Sequence, residues 1–99
     1  MNMNALMQQA QRMQKDIEKK QKEINDSEYT GSSEFVEVVI YGNKKIKSVS
    51  IKNIEIKDQD DLEMLEDMIK IAVNNAISKV EADVESKMGA YGKQLGGLF

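Results

Sequence analysis

Phe35-Val36-Glu37-Val38-Val39-Ile40-Tyr41-Gly42-Asn43 is the stretch that decides the fold. A run dense in β-branched and aromatic residues, closed by Gly-Asn, predicts a strand that turns back on itself. Val36, Val38 and Ile40 fall on one side of that strand. Phe35, Val39 and Tyr41, with Glu37, fall on the other. A strand apolar on both sides is expected to be covered on both, by helices or by a second subunit. Lys45-Ile46-Lys47-Ser48-Val49-Ser50-Ile51-Lys52 follows as the return strand. Its alternation breaks, because Ile46 is out of phase with Val49 and Ile51, so Ile46 belongs near the turn or at a bulge. Just upstream, residues 27–34 are polar and turn-rich, with room for a short strand around Tyr29.

Working outward, a helix is predicted on each side. Residues 3–26 contain no Gly or Pro and are rich in Gln, Lys, Glu, Met and Ala, good helix formers for the most part. Met3, Leu6, Ala10, Met13, Ile17 and Ile24 recur at heptad a and d spacing, with the polar Lys20 at one d position. A seam that narrow needs a partner along its length. The second helix begins around Asp58–Asp61, with Asp60 as N-cap and Glu63 three residues on as a capping box. Leu62, Leu65, Met68, Ile69, Ala72, Val73, Ala76, Ile77, Val80, Val84 and Met88 keep helical steps. The apolar face is wide at first and thins after Val80, as an arm would beyond the sheet. Gly89 is the expected stop, and residues 89–99, with Gly89, Gly92, Gly96 and Gly97, the expected flexible tail. One domain over residues 1–88 results. It is α+β, with a long helix, two or three antiparallel strands and a second long helix, the helices on one face of the sheet. Two long arms and a sheet apolar on both sides point to a homodimer.

Composition narrows the chemistry. The 99 residues include no Cys, His, Trp or Pro. That leaves no thiolate nucleophile, no imidazole base and no metal site built on N or S ligands. No phosphate-binding loop, dinucleotide fingerprint or nucleophile elbow is present. Glu63, Glu66 and Asp67 are the one acidic constellation, and a solvated first turn complementing the helix dipole explains them better than a metal or acid–base site does. The seven Met residues fit core and interface filling better than a cofactor pocket. No enzyme, cofactor, metal or small-molecule substrate is therefore expected. The N-terminus lacks a basic and apolar leader, and no apolar run approaches the length of a membrane span. A cytoplasmic protein is the expectation.

Charge is more informative in its distribution than in its sum. The chain has 14 basic and 17 acidic residues, net −3. Residues 1–57 carry 10 basic and 8 acidic groups, net +2, and residues 58–99 carry 4 and 9, net −5. On the first helix, Arg12, Lys15, Lys19 and Lys22 fall at c and f positions, opposite the apolar seam. That makes a basic stripe about 15 Å long, able to follow phosphates. The alternative is an ordinary solvated face with charge pairs to Asp16 and Glu18. Lys44, Lys45, Lys47 and Lys52 form a second basic group, fit for phosphate contact or for protecting a sheet edge.

Several segments together resemble a known family. Glu63-Met64-Leu65-Glu66-Asp67-Met68, Ala72-Val73-Asn74-Asn75-Ala76 and Lys87-Met88-Gly89 closely resemble the YbaB/EbfC family of bacterial nucleoid-associated proteins. Leu6-Met7-Gln8-Gln9-Ala10-Gln11-Arg12-Met13-Gln14 is similar to that family's Gln- and Met-rich opening, and Tyr29-Thr30-Gly31, Val36-Glu37-Val38 and the Gly42 turn agree in order. The resemblance covers about residues 3–89. It implies a cytoplasmic, nucleoid-located, tweezer-like homodimer that binds double-stranded DNA with loose sequence preference. Lys19, Lys47, Lys79 and Lys87 stand where family members often carry a basic residue. Gln8 replaces a frequent Lys, Ile51-Lys52-Asn53 replaces a common Ile-Asp-Pro, and Asn75 a frequent Asp.

The resulting expectation is phosphate contact from Arg12, Lys15, Lys19 and Lys22 on the first arm, Lys44, Lys45 and Lys47 on the sheet side, and Lys79 and Lys87 on the second arm. Dimerisation is expected to bury Leu6, Met13, Ile17, Val80 and Val84. The competing reading is a protein-interaction module whose heptad-patterned arms recruit another protein without DNA.

Overall fold

The computed structural model describes the backbone of residues 2–94 and the side chains of residues 2–91. The element order is α1 (Met3–Asp26), β1 (Glu28–Ser32), β2 (Val36–Tyr41), β3 (Ile46–Ile51) and α2 (Gln59–Gln94). The three strands form one antiparallel sheet in the order β1-β2-β3, and the molecule measures 72 × 21 × 14 Å. The architecture is the α+β arrangement expected, with three strands. Among the described residues no helix is long and apolar enough to cross a membrane.

α1 starts where Asn2 caps it, its side chain accepting the Asn4 backbone N–H at 3.0 Å. It ends at Ser27, whose hydroxyl donates to the Glu23 carbonyl at 2.6 Å and whose extended backbone leads straight into β1. Its heptad seam is closed only toward that end, with Ile24 fully buried. α1 touches the sheet at β2 alone and otherwise lies against α2.

α2 differs from expectation at both ends. Its N-cap is Asp58 rather than Asp60: Asp58 Oδ1 accepts the Asp61 N–H at 2.9 Å, and Asp61 in turn accepts the Lys57 N–H at 2.9 Å. The acidic run offers several cap registers, and the one that satisfies backbone donors on both sides of the cap is used. At the other end the helix passes through Gly89 and continues to Gln94. A lone Gly costs a helix only about 1 kcal/mol relative to Ala. Tertiary contacts offset that here: Met88 is buried, and the Lys20 ammonium sits 4.9 Å from the centre of the Tyr91 ring. Residues 89–94 are thus helix rather than tail, while the part of the expected tail beyond Gln94 lies outside the described residues.

From Lys20 to Ser33 the chain runs antiparallel along α2. Lys20 meets Tyr91, and Tyr29 OH donates to Asp83. Lys79 Nζ donates to the Thr30 carbonyl at 2.6 Å. Ser32 N–H donates to Asn75 Oδ1 at 3.2 Å, and Ser33 Oγ to the Met68 carbonyl at 2.7 Å. The core lies between these lines. Val36, Val38 and Ile40 pack on Met68, Ala72, Ala76 and Val80, all buried. Ala72 and Ala76 let the helix backbone approach β1 closely at Gly31. The other face of β2 carries no helix. There Lys47 on β3 reaches across β2 to Glu28 on β1 at 2.5 Å, and the cross-strand neighbours of Val39 are Thr30 and Ser48. Of the cover expected on both faces, the chain's own helix α2 supplies one.

The hairpin follows Gly42-Asn43, but the left-handed residue is Lys44, with φ 70°. Gly42 is required for a different reason: a Cβ there would lie 1.8 Å from the Ile24 carbonyl oxygen. The predicted irregularity at Ile46 is present. Val39 pairs with Ser48 and Ile40 with Ile46, so Lys47 is the extra residue of a bulge. The bulge restores phase, and Ile46, Val49 and Ile51 become the direct partners of Ile40, Val38 and Val36. All three therefore face the α2 side of the sheet. Yet α2 reaches only β1 and β2, leaving Ile46, Val49 and Ile51 at 56%, 47% and 45% exposure.

Candidate nucleic-acid interface

The nine basic residues singled out from sequence separate into two groups. Arg12, Lys15, Lys19 and Lys22 lie exposed on α1, and among the described residues none of them makes a salt bridge. Glu18, one of the acids offered as a neutralising partner, accepts instead from Gln14 Nε2 at 3.4 Å. Lys44 and Lys45 are exposed at the hairpin tip. These six are cations in water.

Lys47, Lys79 and Lys87 have internal partners. Lys47 holds Glu28 across the sheet, and that carboxylate pushes the Lys47 pKa up. Lys79 caps the Thr30 carbonyl on the edge strand. Lys87 donates to Asp83 at 2.9 Å, the same carboxylate that accepts from Tyr29. Lys20, which the heptad pattern marks only as a polar seam position, is half-buried over Tyr91. The pattern signals its unusual place but not its aromatic partner, which is 71 residues away in sequence.

The Tyr29–Asp83–Lys87 network ties β1 to the second half of α2 and sets two pH limits. Hydrogen bonds from Tyr29 and then Lys87 hold the Asp83 carboxyl below its usual range. Burial, then the bond to Asp83, pushes the Tyr29 hydroxyl up to about 12. A carboxylate with a depressed folded pKa stabilises at neutral pH and loses that contribution as acid protonates it. A phenol with a raised folded pKa stabilises fully below pH about 10 and loses the contribution as pH rises toward about 12. Tyr29→Phe is expected to lower the neutral Tm and to flatten the alkaline limb of a Tm-versus-pH curve. An unchanged alkaline limb would show that the network does not bear on stability.

The residues expected at a dimer contact are dispersed. Val80 is buried in the chain's own core and Val84 is half-buried against it, so Val80 presents no exposed surface in the single chain. Met13 and Ile17 are half-buried on α1, and Leu6 alone of the five is exposed. The periodicity that marked Val80 as apolar is correct; the surface it meets is the chain's own sheet. Among the described residues no group of three or more acidic side chains is placed to hold a metal.

A three-stranded sheet with one helix laid on it and a second helix carrying exposed cations without salt bridges among the described residues defines a small α+β protein with a basic helical face. The profile of the YbaB/EbfC DNA-binding family matches residues 1–95. The chain is 38% identical to a nucleoid-associated protein of Ligilactobacillus salivarius, over 99% of this chain and 95% of that one. It is 43% identical to one of Ruminiclostridium cellulolyticum, over 98% and 85%, and 41% identical to one of Streptococcus suis, over 96% and 97%. The chain belongs to the YbaB/EbfC DNA-binding family.

Proposed function

We propose that this protein is a nucleoid-associated homodimer that binds double-stranded DNA with little sequence preference, chiefly through phosphates. The observation that carries the reading is the contrast among the lysines. Those tied to internal partners serve the fold, and those on the outer side of α1 have no other employment. Arg12, Lys15, Lys19 and Lys22 are the main contacts in this reading, with Lys44 and Lys45 beside them. Lys47, Lys79 and Lys87 contribute field rather than direct grip. Among the described residues the exposed basic side chains are spread along α1 and the hairpin rather than gathered on one groove-sized element, which favours backbone contact over sequence readout. The test is a gel shift across a salt series. Affinity should fall steeply with salt, because each phosphate contact releases a counterion. Salt-independent binding, or none at low salt, would end the proposal.

Two observations support the homodimer and favour an interface other than the one expected from helical spacing. Asn75 and Lys79, one before the buried Ala76 and Val80, and Asp83, one before the half-buried Val84, hydrogen-bond to β1. The residues one after buried positions, Ile69, Val73 and Ile77, lie on the opposite flank, toward β3, and are half-buried aliphatics. Beside them is the uncovered inner side of β3. In this reading those six aliphatic side chains, three on α2 and three on β3, form the contact surface. A two-fold axis would lay each copy's α2 flank over the other's β3, the self-complementary arrangement such an interface requires. Val49→Asp is expected to convert the dimer to a folded monomer in light scattering. A variant that stays dimeric would place the interface elsewhere.

A further inference from the structure

The first turns of α1 are unlike the rest of the chain. Residues 1–11 contain no charged residue, in a protein that is 31% charged. Every residue from Asn2 to Arg12 is exposed, including Met3 at 71% and Met7 at 57%. Met3, Leu6 and Ala10 continue the heptad seam, with Met7 beside it. A helix exposed all round normally leans on i,i+4 ion pairs or on a partner. This one has no charge to pair, and a segment of that length has little helical stability of its own.

We propose that the tip of α1 is a second self-association surface, through which one dimer pairs with the next when dimers crowd on DNA. It rests on the dimer and DNA reading above. The occupant is argued from charge. Two copies of a chain with net charge −3 repel wherever their acidic regions meet, and the tip is where they can meet with no ionic cost. Gln9 and Gln11 offer neutral hydrogen bonds beside the seam. The basic stripe begins at Arg12 on the side opposite the seam, so paired tips leave both stripes free for phosphates. Size sets the regime. A strip about 16 Å long and one helix wide falls well short of the roughly 1,200 Å² that a stable specific interface buries. Tips therefore hold only when dimers are already gathered at high effective concentration on one DNA molecule. The outcome is cooperative coating or bridging rather than a larger particle in free solution.

The full-length chain and its triple variant Met3→Gln, Leu6→Gln, Met7→Gln should be compared on a duplex just long enough for one dimer and on DNA of several kilobases. The substitutions leave the charge unchanged. Equal affinity for the short duplex, with cooperative binding of long DNA lost only in the variant, is the result expected. Cooperativity that survives in the variant, or is missing in the wild type, overturns the proposal. A variant that also loses the short duplex places the tip on DNA and overturns it too. Failure of the wild type to bind the short duplex would instead strike the DNA reading itself. The chain has no cysteine, so Leu6→Cys and, as a control on the stripe side, Gln8→Cys give clean cross-linking probes. Oxidation on DNA should join dimers through Leu6→Cys more readily than through Gln8→Cys, giving four-chain species in native mass measurement. Cross-linked species that never exceed two chains would put the tips together within one dimer and overturn the proposal.

Discussion

Replacing Gly31 with alanine is expected to lower the Tm by about 10–20 °C, at fixed protein concentration. A Cβ at this position would lie 2.1 Å from the Ala72 carbonyl oxygen, 2.4 Å from the Ala76 nitrogen and 2.8 Å from the Ala76 Cβ. The two nearest atoms are backbone, so no rotamer change relieves the contact. The strand must move off the helix, and overpacking of this sort costs roughly 1–3 kcal/mol or more. In a domain of this size each 1 kcal/mol moves Tm by about 4–8 °C. The displacement also separates Val36, Val38 and Ile40 from the helix that buries them, which is why the upper part of the range is expected. Adding Ala76→Gly tests the cause. It removes only the Cβ at 2.8 Å and leaves both backbone atoms in place, so it should not restore stability. A double variant with wild-type Tm would show that the side chain, not the backbone approach, sets the requirement.

That contact also marks where the sequence stops being readable. Gly31 is visible as a glycine, but nothing local announces that the helix backbone 41 residues later rests on it. Gly42 is similar: it reads as turn chemistry, whereas the positive φ belongs to Lys44 and the glycine makes room for Ile24. Local physics was legible where one period dominates. The limits of α1 follow from its composition and from Ser27, and the Ile46 bulge follows from a broken alternation. Where two explanations compete locally, distant contacts decide between them. The acidic run before α2 reads locally as a capping box from Asp60 to Glu63, until backbone donors choose Asp58. Gly89 reads as a stop until Met88 and Tyr91 carry the helix past it.

The same limit applies to the site. Helical spacing identified the basic stripe on α1 because all its members share one element. It could not show that Lys47 and Lys79 are engaged, since their partners Glu28 and Thr30 lie on other elements; the Asp83–Lys87 pair, four residues apart on α2, was within its reach, and only the share of Tyr29 in it was not. Apolar spacing marked Val80 as interface material without showing which of the available surfaces would cover it. The flank one residue on, Ile69, Val73 and Ile77, differs from it only in what lies opposite.

Lys15→Glu combined with Lys19→Glu is expected to abolish DNA binding at moderate salt while leaving fold and dimer intact. Both residues are exposed on the outer side of α1 and, among the described residues, neither is in a salt bridge, so reversal leaves no buried charge unpaired. Each phosphate contact changes log affinity by about 0.9 per decade of salt, so at roughly 0.1 M it is worth about tenfold. Two contacts on one arm then amount to about a hundredfold, and reversal adds repulsion to their loss. The salt slope should flatten in step, by about 0.9 for each contact removed. Lys47→Gln is the informative comparison. Its ammonium is held by Glu28 at 2.5 Å, so removing it should weaken binding little but should loosen the sheet, visible as a lower Tm. If Lys47→Gln costs as much affinity as the double reversal, the phosphates follow the sheet and not the arm. If the reversal leaves affinity unchanged, the stripe is only a solvated face, and the arms take their partners by the apolar seam.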